Sequence, residues 1–163
     1  MEETEVTTKH IFWRLLFFSI AGILLVSTIL MFHTSGQAQT GSKPLQIKAI
    51  LGGSEIFLSV ADTEAEQSQG LSGHKELEPN EGMFFIFQTA KPYGFWMKEM
   101  LFPIDMIWFD SQYRIIFVKE DAEPSSYPEI FAPNAPAQYV LEVPAGFFAL
   151  HHLKFGDVLK IER

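Results

Sequence analysis

Residues 83–119 read MFFIFQTAKPYGFWMKEMLFPIDMIWFDSQYRIIFVK, and this stretch decides the fold class. It holds four short apolar runs, at 83–87, 95–98, 104–109 and 114–119. Aromatic and β-branched side chains dominate them, and such side chains pack well on a pleated surface. Pro92-Tyr93-Gly94, Pro103 and Asp110-Ser111 separate the runs, and these are residues that break or turn a chain. Runs of this length and spacing predict an antiparallel sheet.

Toward the N-terminus, residues 45–50 (LQIKAI) alternate apolar and polar, and residues 55–60 (EIFLSV) follow after Gly52-Gly53. That glycine pair tolerates the positive φ angles of a tight turn, so the two runs predict a β-hairpin. Asp62 or Thr63 then caps a short helix that carries Glu64 and Glu66 at its positive end, with Gly70 to close it. On the C-terminal side, Pro124 and the following residues 125–136 hold four of the nine prolines, which predicts an irregular extended loop. Residues 139–143 (YVLEV) and 158–162 (VLKIE) read as strands, with a helical turn over 145–152 between them. Seven or eight short strands without regular strand–helix alternation predict a mainly β domain. The expected form is a single jelly-roll-like β-sandwich or small barrel with one or two short helices.

Residues 15–32 (LLFFSIAGILLVSTILMF) carry no charge and are long enough to cross a bilayer, so one transmembrane helix is expected ahead of the β domain. Lys9 and Arg14 flank it on the N-terminal side, whereas no charge follows until Lys43. That bias places the N-terminus in the cytoplasm and the rest of the chain outside, with Trp13 at the interface. The expected organisation is a cytoplasmic N-terminus (1–14), an anchor (15–32), a flexible tether (33–44) and an extracytoplasmic β domain (45–163). The alternative is a cleaved signal peptide, with small residues around Ala38 at the cleavage point and a mature chain starting near Gln39.

Formal net charge is −8. Setting aside Glu2, Glu3, Glu5, Lys9 and Arg14 leaves 17 acids against 10 bases, with no basic run. Phosphate backbones are bound by clustered Lys and Arg, so no nucleic-acid partner is expected. Cysteine is absent, which excludes disulfides, a thiolate nucleophile and Cys-ligated metal.

The ordered blocks Gly82-Met83-Phe84-Phe85, Phe95-Trp96-Met97-Lys98, Pro103-Ile104-Asp105, residues 139–146 and Gly156-Asp157 resemble an uncharacterised prokaryotic family, domain of unknown function 192. The likeness spans about residues 55–161. It implies a compact, largely β, jelly-roll-like fold, commonly exported or membrane-attached, and no established activity. Three positions depart from the family pattern. Glu99 stands where a polar Asn usually follows the Trp-Met-Lys block, and Ser72 stands where a Gly-Leu-Met block is common; His74 replaces a nearby Arg.

Candidate chemistry rests on charges set among apolar residues. Lys98 follows Phe95, Trp96 and Met97, and Asp105 lies between Ile104 and Met106. They read either as a pocket pair, with Asp105 as acid, base or acceptor, or as a solvent-facing lysine and a structural carboxylate. Glu142, between Leu141 and Val143, either joins the same cluster or is an exposed strand carboxylate. Trp96 could line a groove for a sugar or other flat ligand. His151-His152 points in two directions and lacks further spaced ligands, so no metal site is expected. No nucleophile elbow, phosphate loop or cofactor motif is present, and no cofactor is expected. The favoured reading is a non-enzymatic envelope module that binds a ligand or partner protein near Trp96, Lys98, Asp105 and Glu142. The alternative is a hydrolase, sugar-directed in type, that uses Asp105 and Glu142 as an acid and base pair.

Overall fold

The computed structural model describes residues 46–162. The expected anchor (15–32) and tether (33–44) lie outside the described residues, among which no helix is long and apolar enough to cross a membrane. The chain runs β1 (Gln46–Leu51), β2 (Ser54–Ala61), α1 (Glu64–Gln69), β3 (Glu81–Lys91), β4 (Ile104–Phe109) and β5 (Ile115–Ala122). A 3-10 turn (Pro124–Ser126), β6 (Ala137–Pro144), α2 (Phe147–Leu150) and β7 (Lys160–Ile161) follow.

The β1–β2 hairpin forms as expected, with Gly52 and Gly53 at φ +60° and +84°. A Cβ at Gly52 would meet the Leu153 side chain and lie 3.3 Å from the His151 carbonyl oxygen, so the left-handed backbone and the close packing both favour glycine there. Helix α1 is capped by Thr63 in a full capping box with Glu66, and Gly70 closes it. The crossover through α1 makes β3 parallel to β2, whereas every other strand pair is antiparallel.

All seven strands form one curled sheet, a half-barrel, in the order β5-β4-β6-β3-β2-β1-β7. The core therefore lies on two faces of one sheet rather than between two packed sheets. One face carries Phe84, Ile107, Phe109, Leu141 and Val143, and is closed by Phe147, Leu153 and Leu159. The other carries Phe85, Met106, Trp108 and Val140, covered by Leu71, Met97 and Met100 from the loops. Strand β4 is buried at every residue because both faces are covered over it.

One expectation about the central stretch is corrected. Residues 95–98 are not a strand; Phe95 makes one isolated bridge to Phe131, with reciprocal 2.8 Å backbone hydrogen bonds. The left-handed Glu99 (φ +57°) ends the extended run directly after Lys98. Strand β6 lies between β3 and β4 and pairs with both. Gly82 permits that insertion: a Cβ there would lie 2.9 Å from the Glu142 carbonyl oxygen and 2.9 Å from Leu141 Cδ1.

Candidate functional site

Strand register separates the two buried carboxylates. Asp105 on β4 stands opposite Val143, and Met106 stands opposite Glu142. Cross-strand partners share a face and adjacent residues do not, so Asp105 and Glu142 project from opposite faces of the sheet. They cannot act on one substrate as an acid and base pair, and the hydrolase reading loses its only catalytic constellation.

Asp105 is fully buried, and both of its oxygens are engaged. Oδ1 accepts hydrogen bonds from the Asp121 and Gly146 amides at 2.9 and 3.1 Å, and Oδ2 accepts one from Phe148 at 2.8 Å. Gly146, which precedes α2, offers no capping side chain, so Asp105 supplies the cap from a different strand. The amide of Asp121 belongs to a left-handed residue (φ +46°) where β5 slips register against β4. The carboxylate thus pins a strand irregularity and a helical turn at one point, a structural role. It brings together the Pro103-Ile104-Asp105 and Pro144-Ala145-Gly146 blocks.

Lys98 does not reach Asp105. Alternation survives in the 93–98 segment, so Met97 is buried and Lys98 faces solvent, where its ammonium lies 3.9 Å from Glu99 in an exposed pair. Such a pair contributes little. The backbone of Lys98 matters more. Its carbonyl accepts a hydrogen bond from Ser72 Oγ at 2.8 Å, and the Glu99 carbonyl accepts one from the Gly73 amide at 3.0 Å.

Those two bonds tie the loop after α1 to the 95–100 segment, and between them lies a half-open cavity of ≈ 160 Å³. Residues 67–72 form one side, and Phe85, Phe87, Tyr93, Phe95 and Trp96 form the aromatic side. Phe85 and Phe95 meet edge to face at 4.8 Å, and Phe87 stacks on Tyr93 at 3.6 Å, which makes a rigid wall. Trp96 is 49% exposed and is braced edge-on by Tyr127. Trp108, by contrast, is wholly buried, and its indole N–H donates to the Tyr93 carbonyl.

Glu142 also lines this cavity, at 4% exposure. Its Oε2 is buried and has no hydrogen-bond partner. Burial pushes its pKa up to about 8, and a hydrogen bond from the Leu71 amide pulls the other way without offsetting it. At neutral pH the carboxyl is mainly protonated. Gly70 sits against it at φ +50° and ψ −138°, a conformation close to the glycine-only region, and a Cβ there would lie 3.4 Å from Phe85 Cζ and 3.8 Å from Glu142 Oε2.

Of the four residues singled out in the sequence, Trp96 and Glu142 meet at this cavity, Lys98 braces its rim through the backbone, and Asp105 belongs to the other face. The contributions of Gln67, Gly70 and Tyr93 had no sequence signal beyond turn and helix-end chemistry. Among the described residues no group of three or more His, Asp or Glu is arranged to hold a metal ion.

The profile of the family described as "Uncharacterized ACR", domain of unknown function 192, matches residues 47–161. The chain belongs to this family. Within the domain of unknown function 192, it is 28% identical over 104 residues to UPF0127 protein TK1120 of Thermococcus kodakarensis, covering 63% of this chain. It spans 62% of the length of that relative. A solved protein of unknown function from Novosphingobium aromaticivorans superposes with a TM-score of 0.69 at 26% identity, covering 75% of this chain and 89% of that one. A second, described as a presumed transcription regulator from Sinorhizobium meliloti, superposes with a TM-score of 0.66 at 28% identity, over 71% of this chain and 92% of that one.

Proposed function

We propose that this chain is a membrane-tethered, extracytoplasmic binding module whose ligand site is the aromatic cavity over Glu142. One observation carries the reading: Glu142 Oε2 is buried at that cavity without a partner. An unpaired buried polar atom destabilises a fold, whereas Asp105, equally buried, has both oxygens satisfied. The two carboxylates therefore divide between structure and recognition. A strongly shifted ionisable group in a cleft is a marker of functional sites. The aromatic wall suits the apolar part of a small ligand.

The tether and the outward orientation rest on residues 15–32 and on the Lys9 and Arg14 flank. The Sinorhizobium neighbour's description does not transfer to this chain, since its charge of −8 and lack of a basic run disfavour phosphate contacts. A thermal-shift panel of sugars, amino sugars, amines and amino acids on the full chain in detergent tests the binding reading. At least one compound is expected to raise the melting temperature of the native chain by more than that of Trp96→Ala. A flat panel would count against it. Location is tested by sequencing the N-terminus of the protein in washed membranes: an intact terminus is expected, and a mature chain starting near Gln39 would replace the anchor with a cleaved signal.

A further inference from the structure

Most side-chain donors at the cavity walls are engaged by the protein itself. Gln67 Nε2 faces two carbonyls, of Ile86 and Ala61, at 2.8 and 3.4 Å, which orients its amide oxygen away from them. Gln69 Nε2 donates to the Ser72 carbonyl, Ser72 Oγ donates to the Lys98 carbonyl, and Tyr93 Oη donates to the Thr89 carbonyl. These four side chains thus direct donors at the protein's own backbone, whereas the Ser68 hydroxyl and the Trp96 indole N–H at the walls have no partner among the described residues. The Glu142 carboxyl is the one acidic side chain in the lining. No Lys, Arg or His lines the cavity.

Resting on the binding reading above, we infer that the ligand carries an ammonium group, seated on the Glu142 carboxyl with its carbon skeleton against Phe95 and Trp96. The carboxyl provides the counter-charge, and the aromatic faces add cation–π attraction. Anionic ligands find no cation, and a neutral hydroxyl leaves the aromatic faces without a charge to attract. The volume of ≈ 160 Å³ is comparable to cavities that accept a benzene-sized group, so the buried part of the ligand is small.

Binding of the ammonium form at neutral pH moves one proton. The Glu142 carboxylic acid releases its proton to buffer, and the resulting carboxylate pairs with the ammonium, which keeps its own protons. No other charge complicates this step. The strand neighbours in register are Met83 on β3 and Met106 on β4, and the covering loop brings Gly70 and Leu71. Tyr93 is the other titratable group at the cavity, while Asp105 on the adjacent strand faces away.

Isothermal titration calorimetry of the full chain in detergent, with n-butylammonium and glucosamine against n-butanol and glucose, tests this. The charged compounds are expected to bind at least tenfold more tightly than their neutral counterparts. Buffers of different ionisation heat should report nearly one proton released per site at pH 7. Affinity for n-butylammonium should rise close to tenfold per pH unit from 6 toward 8 and then level off. Glu142→Gln should abolish the preference for charge, and Trp96→Ala should weaken binding by roughly three- to thirtyfold. If Glu142→Gln does not fold, the pH profile of the native chain and the Trp96→Ala effect still decide. Binding of glucosamine alone identifies an amino-sugar source, and binding of n-butylammonium alone an alkylamine; either supports the inference. Neutral compounds that bind equally well and lose affinity in Trp96→Ala would overturn the ammonium inference and leave the cavity reading standing. No binding by any of the four would overturn both.

Discussion

At the scale of single residues, Asp105 and Glu142 show why a buried carboxylate is not by itself a catalytic signal. Both sit in apolar company in the sequence, and both are buried, but only the register between β4 and β6 reveals that they face apart. Asp105→Asn puts an NH2 group against at least one backbone donor, and is expected to destabilise the fold by about 2–4 kcal/mol in chemical denaturation. Any ligand binding that survives in the folded fraction should have unchanged affinity. Glu142 has the opposite signature. Its folded pKa of about 8 lies above the ordinary 4.5, so between these values the folded state holds a proton that the unfolded state has lost. Stability therefore falls as pH rises through that window and levels off above about pH 8. The penalty at pH 7 is about 3 kcal/mol. Glu142→Gln removes it, so the variant's melting temperature should exceed the native value at pH 7 and converge with it near pH 4. Parallel curves for the two proteins would contradict this. Glu99 is legible in a different way. The family's usual Asn suits its left-handed backbone (φ +57°), so the departure falls on a turn position. Glu99→Asn is expected to stabilise by about 0.5–1 kcal/mol.

Among the elements, the hairpin, α1 and the strands near 83–87, 104–109, 114–119 and 139–143 were readable because local signals decide them. Gly-Gly sets the first turn, Thr63 and Glu66 set a capping box, and apolar runs bounded by Pro, Gly and Asp set the strands. What could not be read was pairing. Nothing local in residues 139–143 says that β6 separates β3 from β4, and nothing in residues 95–98 distinguishes a strand from a single bridge. The alternation of Phe95, Met97 and Lys98 is strand-like, and the difference is the absence of a neighbouring ladder. Gly82 is where local and non-local requirements meet. Gly82→Ala forces its Cβ into the backbone of β6, with an expected loss of about 1–3 kcal/mol by thermal or urea unfolding. Gly70→Ala should cost a similar amount through backbone strain. It should also narrow the cavity beside Glu142, so its ligand affinity should fall even where the fold persists.

For the molecule as a whole, a single curled sheet with a core on each face leaves one carboxylate per face. One face uses its carboxylate to close the fold; the other leaves one carboxyl oxygen, Glu142 Oε2, without a partner under a loop and an aromatic wall. The sequence marked Trp96 and Glu142 as candidates, but the loop of residues 67–72 that completes their cavity carries only helix-capping and turn residues. Its role arises from the Ser72 and Gly73 contacts to the 98–99 backbone. The most direct test is a carbon-13 NMR titration of the Glu142 side-chain carboxyl in the full chain, with and without saturating n-butylammonium. The account predicts a midpoint near pH 8 for the free protein, displaced downward by at least one pH unit when the ammonium is bound. A midpoint near 4.5, or one that n-butylammonium does not move, would contradict it.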